Sequence, residues 1–142
     1  MGANSLLFVY GTLMRGEKNH RQLAAHQVRF LGEGRIRGRL FRIKGASYPG
    51  AAPTASHRYV RGELYELTSP DKALKKLDKF EGIDEGLFVR KLTYVWIGRQ
   101  KTKAWTYFYP GRRDKAALIS SGRFRARPSS RAGNSTRKKT TK

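Results

Sequence analysis

Residues 6–13 read LLFVYGTL, an unbroken apolar run that ends in a glycine and a threonine. The apolar residues from Leu6 to Tyr10 predict a β-strand that is buried on both of its faces. Gly11 follows directly, and a glycine at a strand end lets the chain turn sharply and direct several backbone N–H groups at one point, which suits an anion. On these residues alone an ordinary turn is the commoner explanation. The strand is the predicted centre of the fold, and the loop after it is the first candidate for a site.

Around this strand the sequence predicts four more strands and two helices. The strand segments, with their alternating or β-forming residues, are 35–43, 59–67, 87–97 and 103–109, the last two joined as a hairpin. A short helix is expected over 19–26, with its first residue as N-cap. A second helix is expected over 69–82, with Leu74, Leu77 and Phe80 as its inner stripe. We therefore expect an α+β fold, a small mixed, mostly antiparallel barrel-like sheet with two or more short helices.

The charge of the chain is strongly positive and uneven. Its 142 residues contain 31 Lys and Arg against 10 Asp and Glu, a formal net charge of +21. Residues 120–142 hold eight of the basic residues, no acid and one large apolar residue, Phe124. Such a segment cannot offset its ordering entropy by burial, so we expect a domain over 1–119 and a basic disordered tail over 120–142. The tail predicts a nonspecific contact with polyanions, and a solvated terminus without a partner explains it equally well.

Composition narrows the class of protein and of site. The chain has no cysteine, which excludes disulfides, thiolate metal sites and cysteine nucleophiles. No apolar run is long enough to span a membrane, and no signal-peptide pattern is present, so we expect a cytoplasmic protein without a membrane partner. The three histidines lack the spacing of a zinc site, and neither a serine nucleophile elbow nor a phosphate-binding loop occurs. The sequence does not predict an oligomeric state.

A carboxylate stands where the second predicted helix ends. Glu81 follows Phe80 of the inner stripe, so its side chain is a candidate to point inward. A carboxylate in apolar surroundings has a raised pKa and can exchange a proton near neutral pH. The alternative is a solvated acid at the helix end, paired with Lys79 or Arg90.

Aromatic residues mark two further regions. Tyr48-Pro49-Gly50 forms a predicted turn that could wall a pocket, and a plain loop explains it equally well. The aromatic residues of the last two strands, 87–97 and 103–109, could stack nucleic-acid bases, although alternating aromatics are more often part of a core.

Taken together, these segments resemble the gamma-glutamylcyclotransferase-like family, most of all its gamma-glutamylamine cyclotransferases. The matching motifs, in the order of that family, are Val9-Tyr10-Gly11-Thr12-Leu13-Met14-Arg15-Gly16, Asn19-His20 with Leu23, Tyr48-Pro49, Val60-Arg61-Gly62-Glu63-Leu64-Tyr65, Leu77-Asp78-Lys79-Phe80-Glu81 and Phe88-Val89-Arg90. They extend over roughly residues 6–110 and leave the basic tail outside. One departure is Phe88, where many relatives carry tyrosine.

The resemblance implies a function and a set of site residues. It implies that Glu81 is the catalytic acid and base, with no metal or cofactor. The substrate-binding residues that we expect are Tyr10, Gly11, Thr12, Leu13, Tyr48, Pro49 and Phe88. The expected reaction turns a small gamma-glutamyl amine or peptide into 5-oxoproline and a free amine. Two alternatives remain open, a basic nucleic-acid-binding module and a member of the same fold that binds a small ligand without turnover.

Overall fold

A computed structural model describes residues 4–111 and 117–125 of the chain. The elements, in chain order, are β1 (Leu6–Val9), α1 (His20–Ala24), β2 (Val28–Arg37), β3 (Arg39–Arg42), β4 (Pro49–Ala52), β5 (Tyr59–Leu67), α2 (Pro70–Phe80), β6 (Val89–Ile97) and β7 (Gln100–Phe108). Five strands form a closed barrel in the order β1-β5-β2-β6-β7, and β3 pairs with β4 in a separate two-stranded sheet. The pairs of the barrel are antiparallel except β1 with β7, which closes it in parallel. The predicted α+β class with a mixed, mostly antiparallel barrel is confirmed.

The first strand lies in the core, as its apolar run predicts. Leu7, Phe8 and Val9 are all buried, although successive side chains of a strand point to opposite faces. The backbone of β1 is also tied across the barrel, because the Thr106 hydroxyl donates to the Phe8 carbonyl at 2.8 Å. Burial on both faces places the residue that follows this strand deep in the molecule.

The predicted strand over 35–43 is wrong in its bounds. It is the end of β2 and all of β3, and β2 begins at Val28. The start of β2 was not predicted because two glycines interrupt the strand pattern. Gly32 lies at a shift in the register with β5, and a Cβ on Gly34 would lie only 2.8 Å from the Trp96 carbonyl oxygen. Glycine lowers strand propensity but is needed where a neighbouring backbone approaches this closely.

The predicted turn around Tyr48-Pro49-Gly50 contains a strand. β4 begins at Pro49, and Leu40 of β3 pairs with Ala51. A Cβ on Gly50 would lie 2.5 Å from the Cβ of Tyr109, so the small residues of this segment permit close packing rather than a loop. The two-stranded sheet is held beside the end of β7, because the Tyr109 N–H donates to the Ala51 carbonyl at 2.8 Å.

Both predicted helices are present, with two differences in detail. Leu74 and Leu77 of α2 are buried as expected, but Phe80 is 41% exposed and does not belong to the inner stripe. Asn19 precedes α1 without capping it through its side chain, because its amide donates to the Thr12 hydroxyl instead, at 3.0 Å. The hairpin of β6 and β7 is confirmed and turns at Gly98.

The expected disordered tail lies mostly outside the described residues, which end at 125. Its first residues, 120–125, differ from the expectation, since Phe124 is only 3% exposed and Arg61 donates a backbone hydrogen bond to the Gly122 carbonyl at 2.7 Å. One aromatic side chain is enough to anchor this short segment on the barrel. Among the described residues no helix has the length and apolar character to cross a membrane.

Candidate functional site

A cavity of about 330 Å³ opens beside the end of β1. All eight residues that the sequence put forward as a site line it: Tyr10, Gly11, Thr12, Leu13, Tyr48, Pro49, Glu81 and Phe88. They come from the β1 loop, the start of β4, the end of α2 and the approach to β6, so the fold brings together segments that are up to 78 positions apart in the chain. These eight residues therefore surround one cavity, and their roles in binding and catalysis stay predictions.

The loop after β1 is held from several sides. The Tyr10 hydroxyl donates to the Tyr107 carbonyl at 2.5 Å and accepts from the Ala51 N–H at 3.0 Å, which ties the loop to β7 and β4. Burial raises the pKa of Tyr10 far above its ordinary value, and the charge of Glu81 adds to the effect, so this phenol stays protonated. The loop then bends through a hydrogen bond from the Met14 N–H to the Gly11 carbonyl.

Three successive N–H groups of this loop have no acceptor among the described residues. They belong to Gly11, Thr12 and Leu13, all of which line the cavity. The Thr12 side chain is engaged elsewhere, with the Asn19 amide. Unpaired backbone N–H groups in a cavity are available to an anionic or carbonyl oxygen.

Glu81 is the residue that follows α2, and its backbone N–H donates to the Leu77 carbonyl at 2.8 Å. Its carboxylate has no hydrogen-bond or ion-pair partner among the described residues. The alternative pairing with Arg90 is wrong, because that guanidinium binds both carboxylate oxygens of Asp78, at 2.7 and 3.0 Å. Burial raises the pKa of Glu81 to about 7.

A hydrogen-bonded group of side chains supports the cavity wall from behind. The Tyr107 hydroxyl donates to Asp78 at 2.7 Å, and the Arg90 side chain that binds the same carboxylate lies over the Trp105 ring at 4.3 Å. Burial raises the pKa of Tyr107 far above its usual range, with smaller contributions from Asp78 and Glu81. Tyr107 lines the cavity, whereas the sequence indicated only its place in an aromatic strand.

Aromatic rings form the opposite wall. Phe88 packs between Tyr48 and Tyr109, each with a ring-centre separation of 5.8 Å. Phe88 is buried and contributes no hydroxyl, so this wall is apolar at the position where the sequence departs from the family pattern.

The rim of the cavity contains residues that the sequence did not indicate. The Lys18 ammonium donates to the Ser47 hydroxyl on one side, and Phe80 and Leu87 expose apolar surface on the rim as well. The sequence predicts burial for Phe80, because this residue stands at the end of an apolar stripe. Its exposure follows from its place on the rim of the cavity, which has no local sequence signal.

Glu63 is a buried carboxylate with a structural role. It accepts hydrogen bonds from the Arg15 N–H and the Tyr65 hydroxyl, both at 2.9 Å, and does not line the cavity. In residues 4–111 and 117–125, no group of three or more His, Asp or Glu side chains is arranged to hold a metal ion.

Comparison with known proteins gives a consistent result. The model of the gamma-glutamyl cyclotransferase, AIG2-like family matches residues 7–126. A Vibrio cholerae protein, provisionally named a gamma-glutamylcyclotransferase, is 33% identical over 117 residues, which cover 82% of this chain and 92% of that protein. The gamma-L-glutamyl-butirosin B gamma-glutamyl cyclotransferase of Niallia circulans is 33% identical over 108 residues, which cover 72% of this chain and 65% of that enzyme. The solved structure of YkqA from Bacillus subtilis matches with a TM-score of 0.69 and 31% identity, over 86% of this chain and 40% of YkqA.

Proposed function

The chain belongs to the gamma-glutamyl cyclotransferase, AIG2-like family and is an enzyme of the gamma-glutamylcyclotransferase type, and on that premise we propose that it converts a gamma-glutamyl amine or peptide into 5-oxoproline and a free amine. In this proposal Glu81 is the general acid and base, and the loop from Tyr10 to Leu13 holds the substrate. The observation that carries it is the position of a half-buried carboxylate, unpaired among the described residues, in the same cavity as three unpaired backbone N–H groups.

The reaction is an intramolecular acyl transfer. The α-nitrogen of the gamma-glutamyl group forms a bond to its own γ-carbonyl carbon, which closes a five-membered ring, and the bond from that carbon to the amine breaks. Because both reacting groups belong to one molecule, the enzyme has to fold the substrate and move protons rather than bring two molecules together. Two protons leave the α-nitrogen as the ammonium becomes a lactam N–H. Two protons arrive on the leaving nitrogen, which departs as an ammonium.

Glu81 suits the role of proton carrier between these nitrogens. A group acts as both base and acid most effectively when its pKa lies near the working pH. At pH 7 a carboxyl with a pKa of about 7 is half ionised, so it can accept a proton from the attacking nitrogen and return one to the leaving nitrogen. Its lack of a partner among the described residues leaves both carboxylate oxygens free for the substrate.

The loop supplies the complementary electrostatics. The N–H groups of Gly11, Thr12 and Leu13 can hold the α-carboxylate of the substrate or the oxygen that becomes negative in the tetrahedral intermediate. Loss of a donor to such an oxygen typically costs about 2.7–4 kcal/mol of transition-state stabilisation. The Tyr10 hydroxyl is not available for this role, because it is already bonded to Tyr107 and Ala51.

The rim of the cavity is the proposed place of the amine or peptide. Lys18 offers a positive charge there, while Phe80 and Leu87 offer apolar surface. The name of the Niallia circulans relative, which specifies a gamma-glutamyl substrate, supports the same group as the part that enters the cavity of this chain.

The test is release of 5-oxoproline from a panel of gamma-glutamyl amino acids, gamma-glutamyl-ε-lysine and glutathione. We expect the wild-type chain to turn over at least one of them and Glu81→Gln to lose at least about 100-fold in kcat, since general acid–base catalysis contributes ~10²–10⁴-fold. Glu85→Gln is the matched control, because Glu85 is exposed and does not line the cavity.

Two results would contradict the proposal. If Glu81→Gln kept full activity, the assignment of the acid and base would be wrong. If the wild-type chain bound gamma-glutamyl compounds by calorimetry but released no product from any of them, the chain would be a binding member of the fold.

A further inference from the structure

We infer that one outer face of the barrel, which shares no residue with the cavity, binds single-stranded nucleic acid. This surface, called the basic–aromatic face below, consists of Arg35, Arg61, Tyr94, Trp96, Lys101 and Lys103. None of these residues lines the cavity beside β1, so the inference does not depend on the proposed reaction.

The strand register places four of these residues in one row across the barrel. Lys101 of β7 pairs with Trp96 of β6, Trp96 with Arg35 of β2, and Arg35 with Arg61 of β5. With neighbouring strands ~4.8 Å apart, the row is about 14 Å wide. Tyr94 and Lys103 form the next pair on the same face, two positions along β6 and β7.

This face points away from the core. The residues next to its members along three of the strands, Ile36, Val60 and Val95, are completely buried. Since side chains alternate along a strand, the members of the row project to the outside. Tyr94 is 44% exposed, so part of its ring is accessible to a ligand, while the Lys101 and Lys103 ammonium groups lie 4.5 and 5.4 Å from the ring centre.

The positive charges of the face lack acidic partners. The ion pairs among the described residues join Arg15 to Glu63, Arg29 to Glu66 and Arg90 to Asp78, and none involves this face. Arg35 and Arg61 also converge with Arg123 on a cavity of about 210 Å³ that Trp96 helps to line. Glu33 is the one acidic residue among the described residues that line it.

The aromatic rings of the face form a continuous series. Tyr94 and Trp96 have ring centres 6.4 Å apart, and Trp96 meets Tyr59 edge-on at 6.2 Å. Cations lie over the outer rings, with the Lys101 ammonium 4.5 Å from the Tyr94 centre and the Arg35 guanidinium 5.1 Å from the Tyr59 centre. Positively charged side chains therefore alternate with aromatic rings along the face, and neighbouring groups are 4.5 to 6.4 Å apart.

This combination fits a partner that presents phosphates and unpaired bases together. Lysine and arginine neutralise phosphates, and aromatic rings stack on the faces of bases in single strands. In a duplex the faces of the bases are stacked on each other and cannot contact the rings of this surface. A polyanion without bases would contact the lysine and arginine side chains but not the rings. The sequence after Arg125 contains six further Lys or Arg and no acid, which adds to the positive charge available for phosphates.

The first test measures the charge contribution with the full chain and a fluorescent 12-nucleotide oligo(U), by anisotropy at several salt concentrations. Each phosphate contact on a single strand contributes ~0.7 to the slope of log K against log salt. We expect the double variant Lys101→Gln/Lys103→Gln to bind more weakly and to lose about 1.4 from the slope. The matched control, Lys72→Gln/Lys75→Gln on the exposed side of α2, removes the same charge elsewhere and should leave the slope within half of that change.

The second test measures the ring contribution. We expect Tyr94→Ala to weaken oligo(U) binding by about fivefold or more while the salt slope stays unchanged, and Tyr94→Phe to restore it, because stacking needs the ring and not the hydroxyl. We also expect oligo(dT) to bind comparably, and a 12-base-pair duplex and heparin to be insensitive to Tyr94→Ala.

The inference is overturned by any of three results. The variants Lys101→Gln/Lys103→Gln and Lys72→Gln/Lys75→Gln could lower the affinity for oligo(U) and the salt slope by the same amount. Tyr94→Ala could have no effect, which would leave a surface that attracts any polyanion. Replacement of the six basic residues after 125 by glutamine, in the full chain, could abolish binding while the face variants do not. Release of 5-oxoproline by the face variants, measured in parallel, should match wild type, so failure of this inference and failure of the proposed reaction are separate outcomes.

Discussion

Gly11 lies so close to Pro49 that a Cβ built on Gly11 would sit 2.9 Å from both the Cγ and the Cδ of the proline ring. The φ angle of Gly11 is not in the left-handed region, so this position needs glycine for space and not for backbone freedom. The β1 loop and the start of β4 therefore determine the shape of the cavity by direct contact between a backbone and a rigid ring.

Gly11→Ala should separate the two segments and damage the site. We expect a loss of about 1–3 kcal/mol in the free energy of unfolding, typical of overpacking, together with a fall in kcat/KM for 5-oxoproline release. Gly16→Ala is the control. Gly16 has a φ of +82°, and a Cβ placed there would have no atom within 4 Å. This variant therefore measures only the strain of a left-handed backbone, which costs about 1–2 kcal/mol of stability. Equal activity in the two variants would contradict the importance of the Gly11 contact.

The activity should depend on pH through Glu81. Because the proposed base must be ionised to accept a proton, kcat/KM should fall about tenfold per unit as pH drops below about 7 and level off above it. A pH–rate profile measured from 4 to 8 tests this expectation. A limb near 4.5 instead of 7 would mean that burial does not perturb Glu81 in solution.

Glu81 should make the free energy of unfolding decrease as pH rises, whereas a carboxylate in an ion pair makes it increase. The pKa of Glu81 is about 7 in the folded chain and 4.5 in its ordinary state, so between these values the folded chain holds the extra proton. The contribution of Glu81 to stability is therefore most favourable at low pH and becomes less favourable as pH rises from 4.5 to 7, by up to about 3 kcal/mol. Urea unfolding at pH 5 and pH 8 should show this loss in the wild-type chain and a smaller one in Glu81→Gln.

Tyr107→Phe should separate the support of the cavity wall from the chemistry. The variant keeps the ring but removes the hydrogen bond to Asp78, which retains Arg90 as its partner. We expect a loss of about 1 kcal/mol in stability and little change in the pH limb assigned to Glu81. Asp78→Asn should cost more, because it also leaves the half-buried Arg90 guanidinium without its ion pair. Equal stability losses would contradict this order.

Lys18 should affect substrate binding more than turnover. Its ammonium lies on the rim, which is the proposed place of the amine or peptide that leaves. We expect Lys18→Ala to raise KM by a few fold for gamma-glutamyl compounds whose leaving group carries a carboxylate, with kcat nearly unchanged, since an exposed charge contributes about 0.5–1 kcal/mol. Lys44→Ala, an exposed lysine that does not line the cavity, is the control. An equal effect on neutral leaving groups would contradict an electrostatic role.

Sequence patterns indicated Tyr10–Leu13 and Glu81 as separate candidates, because they stand at the ends of strongly patterned elements. Only the resemblance to the family implied that they share one site. A buried strand and an amphipathic helix both end at predictable residues, and their ends carry the polar groups. Tyr48, Pro49 and Phe88 came from the resemblance and the turn pattern, and they line the same cavity. Their roles in binding stay predictions.

What the sequence did not predict depends on contacts between distant segments. β2 was missed over 28–34 because glycines that permit close approach of β6 also remove the strand pattern. Phe80 was expected inside because periodicity cannot distinguish the core from a cavity rim. The link from Tyr107 to Asp78 joins residues 29 positions apart and has no local signal.

The hydrogen bond from Tyr10 to the Tyr107 carbonyl also has a consequence for how the chain folds. Its partners are 97 positions apart, and β1 meets both β5 and β7 to close the barrel. Contacts of such long sequence separation form slowly, because a large loop must be ordered before they are made. During synthesis the first strand therefore cannot complete its pairing until the last strand has been made. The loop from Tyr10 to Leu13 takes its final shape only when the barrel closes, and enzyme activity is expected to appear in the final step of folding.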